Sequence, residues 1–170
     1  MKVKNVMTAQ SVKFCTKDAN LQEVAKKMKV NNCGALPVVD EDNKVVGIIT
    51  DRDICLSISK KSIIPAGDRK VKDAMTKKIV TVNGSDEISV AYQQMRKNKV
   101  GRLPVVDVNG RLEGIVSLHK LINEAVKRGK NDLGETSASG ENLIKTIQAV
   151  TNRYNKKKEL KKTSKLLSTI

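Results

Sequence analysis

The sequence predicts a mixed α+β fold, in which two similar β-α-β-β-α units pack as a pseudo-twofold pair and a basic helix follows. The main observation is a repeat: the segment 34–53 recurs at 101–120 with a constant offset of 67, and Leu-Pro-Val-Val-Asp occurs whole in both. Helical and strand-like periods of hydrophobicity also follow one another in the same order in each copy. We therefore divide the chain into a first copy at 1–67, a second copy at 68–128, a linker at 129–141, and a basic amphipathic helix and tail at 142–170.

Each copy begins with a short apolar stretch, at 11–15 and at 79–82, which predicts a strand. Polar turn residues follow, and then an amphipathic helix. Asn20 and Asp86 are the predicted N-caps, because their side chains can accept from free amides of the first turn. The apolar face of the helix is predicted to hold Leu21, Val24, Ala25 and Met28 in the first copy and Ile88, Ala91, Tyr92 and Met95 in the second.

A β-hairpin and a second helix complete each copy. The outgoing strands are predicted at 37–39 and 104–106, each with proline at its start, where a missing backbone donor is tolerated. Turns are predicted at Asp42-Asn43 and Asn109-Gly110. The returning strands are predicted at 44–49 and 111–116, and the second helices are predicted to begin at Asp51 and at Leu118.

Composition limits the function classes. The chain of 170 residues is 39% apolar and 30% charged but only 2% aromatic, so its core must be aliphatic. No apolar run approaches the ~20 residues of a membrane-spanning helix, and no secretory signal is evident. Cys15, Cys33 and Cys55 form no CxxC pair and are expected to be reduced thiols in a cytoplasmic protein, with Cys15 and Cys55 buried. A single histidine and the absence of catalytic motifs predict no enzyme activity and no metal site.

Positive charge is concentrated at the C-terminus. The formal net charge is +15, and residues 127–170 hold 11 Lys/Arg against 4 Asp/Glu. Within 142–160 an apolar stripe with helical spacing, formed by Leu143, Ile147, Val150 and Tyr154, precedes runs of lysine. This stripe needs a covering surface, which can be the paired units, a second chain or a partner. The lysines can lie in solvent or bind nucleic acid or an acidic protein.

The segment Gly47-Ile-Ile-Thr50-Asp-Arg-Asp53 carries the clearest binding chemistry. Thr50 ends a predicted strand and can cap the next helix while its hydroxyl stays near a phosphate, where free helix amides favour an anion. Asp53 lies one turn later and can accept from both hydroxyls of a ribose. The alternative is that both residues only cap the helix, which explains Thr50 well but leaves Asp53 with less to do.

Together with the paired Leu-Pro-Val-Val-Asp strands and the lead-in of each copy, which ends in Met7-Thr8 or Met75-Thr76, this segment resembles the tandem cystathionine-β-synthase (CBS) domain pair, also called a Bateman module, over about residues 1–128. The resemblance implies a non-catalytic regulatory module that binds AMP, ADP or ATP and forms a homodimer. It assigns phosphate contact to Thr50 and ribose contact to Asp53, and makes Arg52 and Arg102 candidate phosphate partners. The implied adenine-binding residues are Lys13, Cys15, Thr16, Ala35, Leu36, Pro37 and Ile49.

The second copy departs from this pattern. Ser117 keeps the hydroxyl, but Lys120 stands where the ribose carboxylate belongs. Lysine has donors and no acceptor, so it cannot accept from a diol, although it can hold a phosphate. We therefore expect one competent nucleotide site per chain. The alternative function is a protein that binds nucleic acid or an acidic partner through its Lys-rich tail, with the paired units as a dimeric scaffold.

Overall fold

The computed structural model describes residues 1–60, 63–65, 67–129 and 143–151. Its two sheets have the strand orders β1-β2-β3 and β4-β5-β6, so the mixed α+β prediction and the β-α-β-β-α order are confirmed. The strands are β1 (Cys15–Thr16), β2 (Ala35–Val39), β3 (Val45–Thr50), β4 (Val82–Asn83), β5 (Arg102–Val106) and β6 (Leu112–Ser117). The helices are α1 (Leu21–Val30), α2 (Asp51–Ile58), α3 (Val71–Ala74), α4 (Ile88–Asn98) and α5 (Leu118–Gly129), with a 3₁₀ turn at Val3–Asn5 and a helical stretch at 143–151.

The hairpin strands begin earlier than predicted. Pro37 and Pro104 are the third residues of β2 and β5, so the prediction that proline opens each strand is wrong. In the first sheet, Pro37 pairs with Ile48 of antiparallel β3, whereas the parallel partner β1 reaches only Val38 and Val39. A proline without a backbone donor is therefore tolerated, because within the described residues no strand pairs with β2 on its other side at Pro37.

The aspartate that ends each Leu-Pro-Val-Val-Asp motif braces its hairpin turn. Asp40 Oδ1 accepts from the amides of Asp42 and Lys44, at 3.1 and 2.8 Å. In the second copy, Asp107 Oδ1 accepts from the amides of Asn109 and Arg111, both at 2.8 Å. The bond from the Arg111 amide is the main cause that lowers the pKa of Asp107. The repeated aspartate thus has a structural role in each turn.

Only one of the two predicted helix caps is correct. Asn20 caps α1, with its side chain accepting from the Glu23 amide at 2.8 Å. Asp86 does not cap α4, because the helix begins one residue later and Glu87 is the N-cap, without a side-chain capping bond. The Glu87 carboxylate instead binds the N-terminal amine at 2.7 Å and Lys2 at 2.9 Å.

Contacts divide the chain into two compact units that interleave in sequence. We call Thr8–Gly84 with Pro104–Ile115 the central unit, and Met1–Met7, Ser85–Leu103 and Val116–Ile170 the terminal unit. The first sheet, α1, α2 and α3 lie in the central unit. Its aliphatic core is formed by Cys15, Leu21, Val24, Met28, Leu36, Val38, Ile49, Ile54 and Val71. Ala25 and Cys55, both predicted to be buried, are exposed.

The lead-in of each copy pairs with the other copy. In the terminal unit, the Val3 amide donates to Asp86 O at 2.9 Å at the start of α4. In the central unit, the Val71 amide donates to Ala19 O at 2.9 Å near the start of α1, and Thr76 pairs with Ile48 of β3. This exchange joins segments that are distant in sequence.

The buried side chains of the terminal unit are also mainly aliphatic. They include Val3, Val6, Ile88, Ala91, Tyr92, Met95, Leu103, Val116, Leu121 and Leu143. The predicted apolar face of α4 is therefore confirmed at all four positions. None of the helices in the described ranges is long and apolar enough to cross a membrane.

Candidate functional site

The main predicted site residues come together where strand β2 begins and strand β3 ends. Ala35 opens β2 and pairs with Thr50, the last residue of antiparallel β3, and α2 begins at the next residue. The Asp51 amide donates to Gly34 O at 3.3 Å, which fixes the start of α2 beside the start of β2. We call this group, Gly34, Ala35, Thr50, Asp51 and Asp53, the first corner; it lies within the central unit.

Thr50 and Asp53 form a reciprocal capping box at the first corner. Asp53 donates its amide to Thr50 Oγ1 at 3.2 Å, and Asp53 Oδ2 accepts from the Thr50 amide at 2.9 Å and from the Thr50 hydroxyl at 2.7 Å. The expectation that capping leaves Asp53 with little to do is therefore wrong. Capping alone accounts for both residues, because the N3 carboxylate satisfies the N-cap amide.

The capping box still leaves one oxygen of the Asp53 carboxylate able to accept from a ligand. All three bonds to the Asp53 carboxylate and amide involve Thr50, and within the described part of the chain Asp53 Oδ1 accepts from no donor. Asp53 and Thr50 are half-buried, so both are accessible from solvent. A carboxylate held in place by one oxygen can use the other to accept from a hydroxyl.

The charges at the start of α2 favour a diol more than a bare phosphate. Asp51 and Asp53 both lie in the first turn, where they offset the positive end of the helix dipole. The predicted phosphate partner Arg52 is exposed and lies between them. A phosphate at this corner therefore meets the Thr50 hydroxyl and one guanidinium, but also two carboxylates.

The predicted adenine-binding residues fall into two groups. Leu36 and Ile49 face each other across β2 and β3 and are 1% and 0% exposed, and both belong to the core of the central unit. Ala35 and Pro37 are also buried. Because the side chains of all four residues are buried, a ligand can contact them only through backbone atoms.

The residues before and within β1 form the second group. Lys13 and Thr16 are exposed, whereas Cys15 is buried with its thiol 4.0 Å from Pro37 O. Burial raises the pKa of the Cys15 thiol to about 11, and the charge of Lys27 offsets part of this. Cys15 is therefore a protonated core residue rather than a reactive thiol.

Lys27 was not predicted to belong to the site. Its Nζ donates to Phe14 O at 2.6 Å and lies 5.4 Å from the centroid of the Phe14 ring. This helix residue fixes the backbone immediately before β1, next to the predicted contact Lys13. Its position on α1 follows the helical period, but no local sequence pattern links it to Phe14.

The corresponding group in the second copy, which we call the second corner, consists of Gly101, Arg102, Ser117, Leu118 and Lys120, and lies within the terminal unit. The Leu118 amide donates to Gly101 O at 2.8 Å, as Asp51 donates to Gly34. Ser117 Oγ accepts from the Lys120 amide at 3.3 Å. The Lys120 side chain has no acceptor to offer the Ser117 amide in return. The second corner therefore has half of a capping box and no carboxylate at this position, and Lys120 and Arg102 are exposed.

No metal centre is evident at either corner. Across the residues that the structure describes, no group of three or more His, Cys, Asp or Glu side chains is placed to hold a metal ion.

Comparisons with known proteins give one consistent family. A model described as the CBS domain matches this chain twice, at residues 3–60 and 71–127. The uncharacterized protein YlbB of Bacillus subtilis is 39% identical over 140 residues, which cover 79% of this chain and 92% of YlbB. Inosine-5′-monophosphate dehydrogenase of Methanocaldococcus jannaschii is 39% identical over 105 residues, which cover 62% of this chain but only 20% of that enzyme.

A solved structure with the same fold contains adenosine ligands. The CBS domain pair of protein MJ0100, in complex with 5′-methylthioadenosine and S-adenosyl-L-methionine, is 25% identical to this chain with a TM-score of 0.66. The match covers 75% of this chain and 98% of the MJ0100 pair.

Proposed function

Because this chain belongs to the CBS domain family and carries two copies of the domain, we propose that it is a regulatory module whose first corner binds an adenosine ligand. The proposed ligand is an adenine nucleotide, AMP, ADP or ATP. CBS domain pairs are regulatory modules, and the MJ0100 pair binds two molecules that share an adenosine group. We propose that this chain responds to its ligand without catalysing a reaction.

The observation that carries the proposal is the position of the Asp53 carboxylate. One oxygen is fixed by Thr50, while Oδ1 accepts from no donor in the described ranges. A ribose offers two neighbouring hydroxyl donors, and hydrogen bonds to a charged acceptor contribute about 1.5–3 kcal/mol each. Fixing the carboxylate before binding lowers the entropy cost of forming these bonds.

The remaining contacts are proposed around this diol site. Arg52 is proposed to contact phosphate, and so is the Thr50 hydroxyl, which then turns its proton from Asp53 Oδ2 to the phosphate. Lys13, Thr16 and the start of β2, from Ala35 to Pro37, are proposed to lie beside the adenine. Leu36, Ile49 and Cys15 support this edge from the core. Arg102 and Ser117 belong to the second corner and are proposed at most to bind a phosphate.

A homodimer and a cytoplasmic location remain part of the proposal. Large apolar side chains are exposed on and after α2, with Leu56 at 49%, Ile58 at 55% and Ile64 at 52%. We propose that these side chains contribute to the interface between two copies of the chain, and light scattering of the purified chain tests for the dimer. The alternative function, binding of nucleic acid or an acidic partner, depends on the Lys-rich segment at 152–170, which lies outside the described residues.

Calorimetric titration with AMP, ADP, ATP and S-adenosylmethionine tests the proposal. Asp53→Ala is expected to weaken the binding of the preferred ligand by about one to two decades, because it removes the diol acceptor. Asp51→Ala is the matched control: it removes a carboxylate from the same helix turn, and Asp51 takes no part in the capping box.

The control separates a local contact from a general charge effect. If both variants weaken binding equally, the effect comes from the charge of the helix start and the assignment of Asp53 is wrong. If the unmodified chain binds none of the four ligands, the adenosine proposal itself is wrong.

A further inference from the structure

The helical stretch 143–151 buries one face against its own chain. Leu143 is 9% and Thr146 0% exposed, whereas the neighbouring Ile144 is 58% exposed. Residues three, four and seven apart share a helix face, and the half-buried Ile147 and Val150 continue the face that begins at Leu143. The predicted apolar stripe therefore has a covering surface within the terminal unit for its described part.

This face meets the chain at Gly101. Val150 Cγ1 lies 3.9 Å from the point where a Cβ on Gly101 would stand, and among the described residues no other atom beyond the chain neighbours lies within 4 Å of that point. The backbone of Gly101 is not in the left-handed region, so its conformation does not require glycine. A Cβ at Gly101 would make ordinary van der Waals contact with Val150, so the helix packs over this position without requiring glycine.

Gly101 is also the structural counterpart of Gly34. Each glycine carbonyl accepts from the first amide of the helix that follows the hairpin, Leu118 in one case and Asp51 in the other. In the first copy, Gly34 adjoins the proposed diol site at Asp53. The helix at 143–151 therefore contacts the second corner at the position equivalent to the ligand-binding edge of the first.

We propose that the helix at 143–151 is an intramolecular latch that covers the Gly101 side of the second corner and keeps a nucleoside from it, while the side chains of Arg102, Ser117 and Lys120 stay accessible to solvent. The latch is a segment of the same chain, held by the buried side chains Leu143 and Thr146 and by the half-buried Val150. The second corner has lysine in place of a carboxylate at Lys120, so covering Gly101 blocks no complete diol site. While the latch is seated, only the first corner can hold a nucleoside; this last consequence rests on the proposed function, whereas the latch itself does not.

Thiol accessibility tests the latch without any nucleotide. Gly101→Cys places a thiol beside Val150 in the full chain, and its rate of alkylation by iodoacetamide is followed by peptide mapping. Cys55, which is exposed, serves as an internal reference. Adding Leu143→Asp is expected to raise the alkylation rate of the introduced thiol about tenfold, because a charge at this buried position detaches the helix.

Ile144→Asp is the matched control, since it places the same charge one residue away on the exposed face of the same helix. It is expected to change the rate less than about twofold, as a surface substitution does. Equal rates with Leu143→Asp and Ile144→Asp would overturn the latch.

A second variant covers the case in which Leu143→Asp disturbs the whole unit, which a fall in the melting temperature would reveal. Val150→Ala removes the atoms nearest Gly101 without adding charge, and is expected to raise the rate about threefold by loosening the contact. If Val150→Ala leaves the rate unchanged, the helix does not cover Gly101 and the latch is wrong.

Discussion

Thr50 and Asp53 hold each other through three hydrogen bonds, two to Asp53 Oδ2 at 2.7 and 2.9 Å and one from the Asp53 amide to Thr50 Oγ1 at 3.2 Å. The same two residues are the proposed contacts to phosphate and ribose. Stability and binding are therefore coupled at the first corner, and a change in ligand affinity has to be measured against the change in folding.

Asp53→Ala is expected to lower the free energy of unfolding of the ligand-free chain by about 0.5–2 kcal/mol, the usual cost of losing a helix cap. Urea denaturation without ligand measures it. Asp53→Asn keeps a side-chain oxygen that can accept from the Thr50 amide, and is expected to lose less than half as much. If Asp53→Ala is as stable as the unmodified chain, the capping box does not contribute in solution.

Lys120→Asp is expected to stabilise the chain by about 0.5–1 kcal/mol, because it completes the half-formed capping box and places an anion in the first turn of α5. Ser117 Oγ already accepts from the Lys120 amide, so only the returning acceptor is missing. Urea denaturation measures the gain. Lys120→Ala, which removes the cation without adding an acceptor, is the control, and an equal gain there would exclude the capping explanation.

Features encoded by neighbouring residues could be predicted from the sequence. The starts of α2 and α5 at Asp51 and Leu118 and the cap at Asn20 follow from short patterns of strand, polar residue and apolar period. The predicted cap at Asp86 is wrong, because a contact between distant segments lies at this helix start. The N-terminal amine and Lys2 bind Glu87, and no local pattern predicts that the chain start meets α4.

The candidate site shows a second limit of sequence reasoning. A capping box and a ribose site both need a hydroxyl followed three residues later by a carboxylate, so the spacing of Thr50 and Asp53 cannot separate them. The exchange of lead-ins, as between Val71 and Ala19, also had no local signal. Neither did the contact of Val150 with Gly101, because a helical stripe shows that a covering surface exists but not which one.

Gly47→Ala is expected to lower the free energy of unfolding by about 1–3 kcal/mol through overpacking. A Cβ at Gly47 would lie 2.8 Å from Met75 Sδ and 3.2 Å from Thr76 O. The sulfur belongs to a flexible side chain, whereas the carbonyl is held by the pairing of Thr76 with Ile48.

A double-mutant cycle with Met75→Ala measures the sulfur contact by urea denaturation. If the sulfur causes much of the strain, the double variant loses less stability than the two single losses combined. Additive losses would instead assign the strain to the backbone of Thr76.

The lowered pKa of Glu87 predicts that the chain loses stability in acid. Hydrogen bonds from the N-terminal amine and from Lys2 lower the pKa of Glu87 from 4.5 to about 2. The folded chain therefore holds this carboxylate charged where the unfolded chain protonates it, so its contribution is complete above pH 4.5 and is lost as the pH falls towards 2. The carboxylate is half-exposed, so the effect is small and screened by salt.

Thermal melting at low ionic strength between pH 6 and pH 2 tests this prediction. Glu87→Gln is expected to melt at a lower temperature than the unmodified chain at pH 6, and the two are expected to converge near pH 2, because protonation removes the same ion pairs. Glu41→Gln, in the exposed first hairpin turn, is the control and is expected to follow the unmodified chain. A constant difference between Glu87→Gln and the unmodified chain across this range would show that Glu87 does not titrate with a lowered pKa.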